Sequence, residues 1–302
     1  MDELTKEQHQ AFELLQSGEN VFLTGEAGSG KSFVVRKFMQ DKDPKAFPIL
    51  ASTGAAAVIV GGRTFHSFFG LGIMEGGVEA TIEKAVSNKR VVKRLQSIEG
   101  FVIDEVSMLD SDVLTAAESI CRHARSCLDM PWGGLNVIAV GDFAQLPPVQ
   151  KGGAKNWAFL DNIWTRSGFL PTRLTKNMRT DNNDFLEVLN FVRRGVVNIQ
   201  VSDFLNERCQ PVDEDMDVTR LFPRRFQTAE FNLQKLGRLT GDLIEIESVY
   251  SGQDRAIQNL KKNAPIPETL QLKENCLVML RQNDPKGRWV NGTTATLEEV
   301  KD

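Results

Sequence analysis

The sequence lacks any long apolar run. It contains no stretch of about 18 consecutive apolar residues, the length that a membrane-spanning helix needs. Its opening segment, MDELTKEQHQAFELLQSGEN, also lacks the basic start and apolar centre of a secretion signal. We therefore expect no membrane association and a location in the cytoplasm, or in the nucleus or mitochondrion if the source is a eukaryote.

Cysteine is also scarce. The chain has four cysteines and no C-x-x-C pair, which favours reduced thiols over a disulfide framework. Cys121, His123 and Cys127 lie close together in the sequence, but no second pair of metal ligands accompanies them. A half-buried helix is the favoured interpretation of this segment, and a metal site is the alternative.

Basic charge is not in excess either. The chain has 36 Lys and Arg against 40 Asp and Glu, a net charge of −4. This balance argues against a protein that holds duplex DNA mainly by charge, but it leaves room for a single-strand channel that uses stacking and backbone contacts. The 302 residues, 41% hydrophobic and 25% charged, are typical of a globular protein with about two domains.

One stretch, VFLTGEAGSGKS at residues 21–32, carries the strongest chemical signal. It reads as an apolar strand, a glycine-rich loop and the start of a helix, the context that the P-loop pattern G-x-x-x-x-G-K-[ST] requires. Glycines allow successive backbone N–H groups to face a phosphate, and the helix N-terminus adds unpaired donors. The pattern predicts nucleoside triphosphate binding, and an ordinary glycine-rich turn is the less favoured alternative.

Each residue of this loop has an expected role. The backbone of Gly28, Ser29 and Gly30 should cradle the phosphates. Lys31 should reach the β- and γ-phosphates, and the Ser32 hydroxyl should hold Mg²⁺. The expected ligands are therefore a nucleoside triphosphate and Mg²⁺.

An acidic pair stands at the end of another buried-type strand. Asp104 and Glu105 lie within FVIDEVSML at residues 101–109, and ligands collect at the carboxyl ends of strands in open α/β sheets. Asp104 is expected to hold Mg²⁺ in the second shell opposite Ser32. Glu105, one residue later, is expected to polarise the attacking water.

Two further side chains are candidates for contact with the γ-phosphate. Gln145, in GDFAQLPP, has an amide that can sense the γ-phosphate and the lytic water; the alternative is a structural amide in a proline-locked turn. Arg179, in LTKNMRTD, is a candidate arginine finger supplied in cis; the alternative is a surface arginine that caps a helix.

The alternation of strands and helices predicts the fold class. Apolar strands at 46–52, 101–109 and 135–149 follow the P-loop strand with helical segments between them, which indicates an α/β domain with a doubly wound parallel sheet. The basic cluster at 89–94 predicts a solvated helix face.

Beyond this domain, two segments carry specific predictions. NNDFLEVLNFVRRG predicts a helix with Phe185, Leu186, Leu189 and Val192 on one apolar face. RWVNGTTATLEEV predicts a β-hairpin.

The ordered motifs resemble a known family. LTKEQ, GEAGSGKS, STGAAAVIVGGRTFHSFFGLG, VIDEVSML, VGDFAQLPPV and LTKNMRTDNNDFLEVLNFVRRG follow the order and spacing of the petite-integration-frequency (PIF) helicases of superfamily one, in its 5′-to-3′ branch. The resemblance covers residues 4–292 and is sharpest up to Gly195. It implies a P-loop NTPase with a RecA-like domain at 1–180, including a small 1B insertion at about 70–95, and a second, incomplete RecA-like domain at 181–302.

The resemblance also assigns expected roles to further residues. Gln8 corresponds to the adenine-reading glutamine of the family, and Thr53, Gly54, Thr64 and His66 match segments that line a single-stranded DNA channel. The phenylalanines of TFHSFF are candidates for base stacking, at roughly 1–3 kcal/mol per base. Core packing of these rings is an equal alternative.

Two departures from the family pattern affect the expected activity. Ala295 stands where the hairpin V-N-G-x-x-G has its last glycine, and the sequence stops at Asp302, before an SH3-like insertion and two further motifs. One of those motifs supplies an arginine to ATP. We therefore expect this chain to bind ATP but to hydrolyse it poorly by itself.

The leading hypothesis is a monomeric ATP-dependent 5′-to-3′ DNA helicase. It would translocate on single-stranded DNA and unwind forked or structured duplexes by closing two RecA-like lobes on ATP and Mg²⁺. A non-motor P-loop ATPase that recruits a protein partner is one alternative, and a nucleic-acid-binding module regulated by ATP is another. GDFAQLPP together with TFHSF favours the motor, because a generic switch needs neither.

Overall fold

The computed structural model describes residues 4–52, 63–72, 74, 76–148, 156–210, 220–254, 257–258, 261, 266–281, 284, 288–289 and 292–300. The chain divides into two units, residues 1–209 and 210–302. This division comes after the predicted boundary at residue 180, because Arg193 forms an ion pair with Asp142 inside the first unit. The assignment of RecA-like domains to 1–180 and 181–302 stays a prediction.

A six-stranded parallel sheet organises the first unit. Its strands are β1 Val21–Gly25, β2 Ile49–Ala51, β3 Arg63–Thr64, β4 Gly100–Asp104, β5 Asn136–Gly141 and β6 Leu170–Leu174. They lie in the order β3-β2-β4-β5-β1-β6, and every neighbouring pair is parallel. Strands are added on both sides of β1, so the sheet is doubly wound, and the predicted fold class is confirmed.

Nine α-helices surround this sheet in the described part of the first unit. They are α1 Lys6–Gln16, α2 Lys31–Met39, α3 Phe65–Phe69, α4 Gly77–Val86, α5 Lys89–Gln96, α6 Ser111–Ala124, α7 Asn162–Arg166, α8 Asn183–Arg193 and α9 Ile199–Arg208. Three short 3₁₀ helices occupy Val106–Met108, Pro131–Gly134 and Ala158–Leu160. No helix in the ranges given above is both long enough and apolar enough to cross a membrane.

The sheet is buried on both faces. In β4, Phe101 and Ile103 point into one hydrophobic cluster and Val102 points into another. The first cluster includes residues of α3 to α7, whereas the second includes residues of α1 and α2. Parallel strands covered on both faces are expected to be apolar throughout, which is why 101–103 and 137–140 read as continuous apolar runs.

The phenylalanines of TFHSFF belong to the core. Phe65, Phe68 and Phe69 are at most 4% exposed, and the Phe69 ring centroid lies 5.5 Å from that of Phe101. A ring that is buried in this way cannot present a face to a base. Core packing is therefore confirmed, and base stacking by these three rings is wrong.

The basic cluster at 89–94 forms the exposed side of α5, with one exception. Lys89, Arg90 and Lys93 are exposed. The Arg94 guanidinium instead lies 5.1 Å from the Phe68 ring centroid and donates to the Phe68 carbonyl oxygen at the end of α3. The predicted solvated face is thus right for three residues, while Arg94 caps a neighbouring helix.

Helix α8 forms as predicted, and much of its apolar face is exposed. Phe185, Leu189 and Val192 are exposed, at 38%, 42% and 50% of their full areas, whereas Val188 is buried. Helix α9 packs on α8, with the Phe204 ring stacked 6.0 Å from Phe185.

The described part of the second unit includes helix α10 Arg225–Arg238 and four short strands, β7 Ile244–Glu247, β8 Thr269–Leu272, β9 Leu277–Met279 and β10 Thr294–Thr296. β7 pairs with β8 and β9 with β10, both antiparallel. β10 lies within RWVNGTTATLEEV and pairs with CLVML, with Thr296 opposite Leu277. Val290 and Asn291 lie outside the described residues, so the hairpin predicted within this segment stays a prediction.

Candidate nucleotide-binding site

Three strands end together at one edge of the parallel sheet. The register pairs Thr24 of β1 with Gly141 of β5, and Ile103 of β4 with Ala139 of β5. The loops after β1, β4 and β5 therefore start close together, with β5 in the centre. This edge is where parallel α/β sheets bind ligands.

The loop after β1 has the backbone of a phosphate cradle. Gly28 and Gly30 have φ angles of +82° and +90°, which glycine adopts far more readily than other residues. A Cβ on Gly28 would lie 2.7 Å from the Cβ of Arg179, and a Cβ on Gly30 would collide with Nε2 of Gln8. Both glycines are thus required by conformation and by the space available. The loop can approach a ligand with its backbone.

Helix α2 follows with its N-terminus uncapped. Gly30 occupies the N-cap position, and no side chain in the described part of the chain caps it. The first-turn N–H groups of a helix have no intrahelical acceptor, and the helix dipole places positive potential there. This end of α2 therefore matches a phosphate. Ser32, the second residue of α2, is exposed at this end, and Ser29 is buried with its hydroxyl donating to the Glu26 carbonyl oxygen at 2.8 Å.

The Lys31 ammonium lies within the loop. Its Nζ donates to the carbonyl oxygens of Gly25 at 2.8 Å and Glu26 at 3.1 Å. Burial lowers the pKa of Lys31, while the carboxylates of Asp142, Glu105 and Asp104 act to raise it. The lysine and all three acids therefore share one electrostatic environment. This is the geometric condition that the P-loop interpretation required.

The acidic pair after β4 is partly buried. Burial raises the pKa of Asp104 and of Glu105, and the neighbouring Asp104 charge raises the pKa of Glu105 further. Glu105 has a φ of +54°, an uncommon conformation for a residue with a side chain, and its N–H donates to Asp104 Oδ1 at 3.1 Å. A sharp turn thus separates the two carboxylates immediately after the strand.

The loop after β5 contains a residue that sequence reasoning missed. Asp142 is 1% exposed and accepts hydrogen bonds from the Gln145 side chain at 2.9 Å and the Ala144 N–H at 3.1 Å. It also pairs with both terminal nitrogens of Arg193. Burial alone would raise the pKa of Asp142, but the bonds from Arg193 and Gln145 outweigh burial and lower it. The sequence pattern that could have identified Asp142 is an acidic residue at the end of an apolar strand, the same pattern that identified Asp104.

The segment that carries Arg179 lies against the P-loop. The Asn177 side chain donates to the Ala27 carbonyl oxygen at 2.8 Å, and the Met178 N–H donates to the Gly28 carbonyl oxygen at 2.8 Å. The Arg179 side chain is exposed beside this contact. Glu7 of α1 anchors the same segment by accepting from the N–H and hydroxyl of Thr175 at 2.8 and 2.6 Å. Neither Asn177 nor Glu7 was identified from sequence.

Gln8 lies beneath the loop and is almost fully buried. It completes a capping box with Thr5 at the start of α1. Its Nε2 donates to the Ser29 carbonyl oxygen at 3.3 Å. The structure therefore gives Gln8 a direct contact with the P-loop backbone, and its expected role in reading adenine stays a prediction.

Two of the residues expected to line a DNA channel, Thr64 and His66, lie at the end of β3 and in α3. Thr64 caps α3 by accepting from the Ser67 N–H at 3.3 Å. His66 is half-buried, and burial lowers its pKa while Asp110, just beyond β4, acts to raise it. Thr53 and Gly54 lie outside the described residues.

Comparison with known proteins gives consistent matches. The model of the PIF1-like helicase family matches residues 3–202. The chain is 55% identical over 298 residues to the ATP-dependent DNA helicase Pif1 of Bdellovibrio bacteriovorus, covering 99% of this chain and 68% of that protein. It is 32% identical over 300 residues to the ATP-dependent DNA helicase RRM3 of Saccharomyces cerevisiae, covering 96% of this chain but only 41% of that protein.

A solved structure agrees with these matches. The crystal structure of Pif1 helicase from Bacteroides in complex with ADP-AlF3 and single-stranded DNA has a TM-score of 0.72 and 27% sequence identity, covering 100% of this chain and 71% of that chain. The matched relatives are named as ATP-dependent DNA helicases, which are enzymes. The family indicated by the sequence motifs is thereby confirmed: the chain belongs to the PIF1-like helicase family.

Proposed function

We propose that this protein is an ATP-dependent DNA helicase that translocates 5′ to 3′ on single-stranded DNA and unwinds forked or structured duplexes as a monomer. One observation carries the proposal. The loops after β1, β4 and β5, which carry Lys31, Glu105 and Asp142, start side by side at the carboxyl edge of the sheet, and the carboxylates of Asp104, Glu105 and Asp142 all raise the pKa of Lys31. The names of its relatives and the DNA-bound Bacteroides structure support DNA as the partner.

The residues at this edge fit a magnesium-bound nucleotide. The glycine backbone at 28–30 and the uncapped start of α2 offer N–H donors to phosphate oxygens. Lys31 would leave the carbonyl oxygens of Gly25 and Glu26 to pair with the phosphates, and ATP supplies the γ-phosphate that is transferred to water. Ser32 and Asp104 would hold Mg²⁺, a hard cation that prefers oxygen ligands. Gln8 would read the adenine.

Three side chains are assigned to the hydrolytic step. Glu105 would accept a proton from the attacking water, and its raised pKa makes it a stronger base than an exposed glutamate. Gln145 would orient that water and detect the γ-phosphate. Arg179, beside Gly28, would stabilise the charge that develops on the transferred phosphoryl group.

The DNA-binding assignment depends on other residues. Thr53, Gly54, Thr64 and His66 would line the single-stranded DNA channel. In support of a channel near the end of β4, the Asp110 carboxylate acts on the pKa of His66, and Asp110 follows β4, which also carries Asp104. Nucleotide binding and DNA binding would then act on opposite ends of the same short loop, which is how hydrolysis would change the grip on DNA.

The proposal is tested by nucleotide binding and by hydrolysis with and without a single-stranded oligonucleotide. Lys31→Ala is expected to lose nucleotide binding or turnover, whereas Glu105→Gln should bind ATP and lose hydrolysis by about 100-fold or more. Unwinding should require a 5′ single-stranded tail on a forked duplex and fail with a 3′ tail. Hydrolysis that is indifferent to DNA would contradict the proposal and indicate a non-motor ATPase.

A further inference from the structure

Arg193 at the end of α8 reaches back to the loop after β5. Its Nη2 lies 2.7 Å from Asp142 Oδ1, and its Nη1 contacts Asp142 Oδ2. This bidentate geometry is the strongest arrangement available to an arginine and a carboxylate. Asp142 is buried, and the Arg193 side chain is only 26% exposed. The pair is therefore shielded from solvent, unlike the ion pairs on the surface of the protein.

The same carboxylate organises the loop that carries Gln145. Asp142 Oδ2 accepts from Gln145 Nε2 at 2.9 Å, Oδ1 accepts from the Ala144 N–H at 3.1 Å, and the Asp142 carbonyl oxygen accepts from the Gln145 N–H at 2.9 Å. Arg193 thus fixes an acceptor that in turn fixes both the backbone and the amide of Gln145. The orientation of the Gln145 side chain depends on a residue 48 positions later in the chain.

We propose that Arg193 is a positioning residue for ATP hydrolysis, which acts through Asp142 to orient Gln145. The inference depends on the proposed function, because it assigns a role within the same nucleotide site. The proposed positioning role of Arg193 differs from a purely structural role in one measurable respect. Arg193 should matter more when the γ-phosphate position is filled by a transition-state mimic than when ADP alone is bound.

The test compares affinities for Mg²⁺–ADP with and without aluminium fluoride, measured by calorimetric titration of the whole chain. For Arg193→Gln we expect about tenfold weaker binding of ADP with aluminium fluoride and less than a twofold change for ADP alone, as for loss of an interaction made mainly in the transition state. Arg193→Lys should recover part of the loss, because a single donor replaces a bidentate pair.

A matched control and a double variant keep the result interpretable. Arg194→Gln removes an exposed arginine at the next position and should change neither affinity. Arg193→Gln combined with Asp142→Asn should lose no more affinity for the transition-state mimic than Arg193→Gln alone, because both residues act through Gln145. If Arg193→Gln does not fold, the double variant has no unpaired buried charge and gives the same readout.

The outcomes separate this inference from the proposed function. Thermal destabilisation of Arg193→Gln with unchanged affinities for both ligands would overturn the positioning role and leave the proposed function intact. Failure of the unmodified chain to bind Mg²⁺–ADP, or equal binding by Lys31→Ala, would overturn the proposed function and this inference with it.

Discussion

At individual positions of the P-loop, backbone geometry restricts which amino acid can be present as strongly as side-chain chemistry does. Gly28 and Gly30 have positive φ angles, and each has a neighbouring residue where a Cβ would lie. Gly18, in the loop before β1, has a similar φ of +84° but open space around its Cα. Alanine at Gly18 would therefore incur only the free-energy cost of an unusual backbone conformation. Alanine at Gly28 or Gly30 would incur that cost and also a steric collision.

We predict different outcomes for alanine at these positions. Gly18→Ala should cost about 1–2 kcal/mol of unfolding free energy through its φ angle alone and leave nucleotide affinity unchanged. Gly30→Ala should incur a similar conformational cost and also displace Gln8 from the loop, weakening ATP binding at least tenfold. Chemical denaturation and nucleotide titration measure the two quantities. Equal effects on affinity would show that the collision with Gln8 is unimportant.

A second prediction concerns how the effect of Glu105 on the free energy of unfolding depends on pH. Burial, and next the Asp104 charge, raise the folded-state pKa of Glu105 above the ordinary glutamate value of 4.5. The folded state then binds the proton more tightly than the unfolded state, so ionisation destabilises the fold as pH rises through the raised pKa.

Glu105→Gln should therefore be more stable than the unmodified chain at pH 7, by up to about 1 kcal/mol since the side chain is only partly buried. The difference should disappear below pH 4.5, where the carboxyl group is protonated in both states. Denaturation at several pH values measures this, with Glu83→Gln on the exposed side of α4 as the control. A Glu105→Gln variant that is less stable at pH 7 would contradict the assigned direction.

Single acidic side chains join secondary-structure elements that are distant in sequence. Glu118 in α6 is fully buried and accepts from Arg166 of α7 at 3.1 Å and from the Trp132 N–H at 3.2 Å, in addition to its ion pair with Arg122. Trp132 is itself buried, with its indole N–H donating to the Ser167 hydroxyl at 3.0 Å. One carboxylate thus holds α6, α7 and the 3₁₀ turn at Pro131–Gly134 together.

We predict that Glu118→Gln destabilises the protein by about 3–5 kcal/mol, because it leaves two arginines without their buried partner. The expected observation is a large fall in the denaturation midpoint. Glu83→Gln on an exposed helix face should change the unfolding free energy by less than about 0.5 kcal/mol. A small effect of Glu118→Gln would indicate that water replaces the lost charge at this site.

Glu7 likewise joins two distant elements, because it holds the segment that carries Arg179 against α1. The hydrogen bonds from the Thr175 side chain and N–H lower the pKa of Glu7 below the ordinary glutamate value of 4.5. For a lowered carboxyl pKa the stabilisation is fully present above the unfolded pKa and is lost as pH falls through the folded pKa. The site is largely open to solvent, so the contribution is about 0.5 kcal/mol or less.

Glu7→Gln should accordingly show its small stability loss at pH 6 to 7 and no difference from the unmodified chain near pH 2, where both lack the charge. The matched control is Glu13→Gln, which removes an exposed carboxylate on the same helix. Loss of the Thr175 anchor should also weaken ATP affinity, whereas Glu13→Gln should not. Identical behaviour of the two variants would remove the proposed link between α1 and the Arg179 segment.

The hydrophobic core is unevenly divided between the two units of the chain. Both core clusters of the described residues lie between Ala11 and Leu174, in the first unit. In the described part of the second unit, Cys276 is the only apolar residue that is buried, and Leu221 and Phe226 are 93% and 60% exposed. Burial of apolar surface is the main favourable term in folding, so the two units should differ greatly in intrinsic stability.

We predict that residues 1–209 alone unfold cooperatively with a melting temperature within about 5 °C of that of the whole chain, because both core clusters are retained. Residues 210–302 alone should show no cooperative transition. Differential scanning calorimetry of the two fragments and the whole chain measures this. A cooperative transition in 210–302 would mean that this unit has a core of its own.

The accuracy of the sequence-based predictions varied with the range of the interactions involved. The P-loop and the parallel sheet depend on local patterns, and both were predicted. For the phenylalanines of TFHSFF, the sequence left base stacking and core packing as equal alternatives, because local spacing does not say whether a ring faces solvent or the core. The structure buries all three rings.

The sequence by itself determined the P-loop, the acidic pair after β4 and the family, because these depend on residue types at fixed short spacings. Only the tertiary structure showed that Asp142, Arg193 and Gln145 form one network, that Glu7 anchors the Arg179 segment, and that the phenylalanines of TFHSFF are buried. Contacts between residues far apart in the chain follow from how strands order in the sheet and which helices cover it. No local pattern encodes that order, because it is decided by the joint packing of two cores on either face of one sheet.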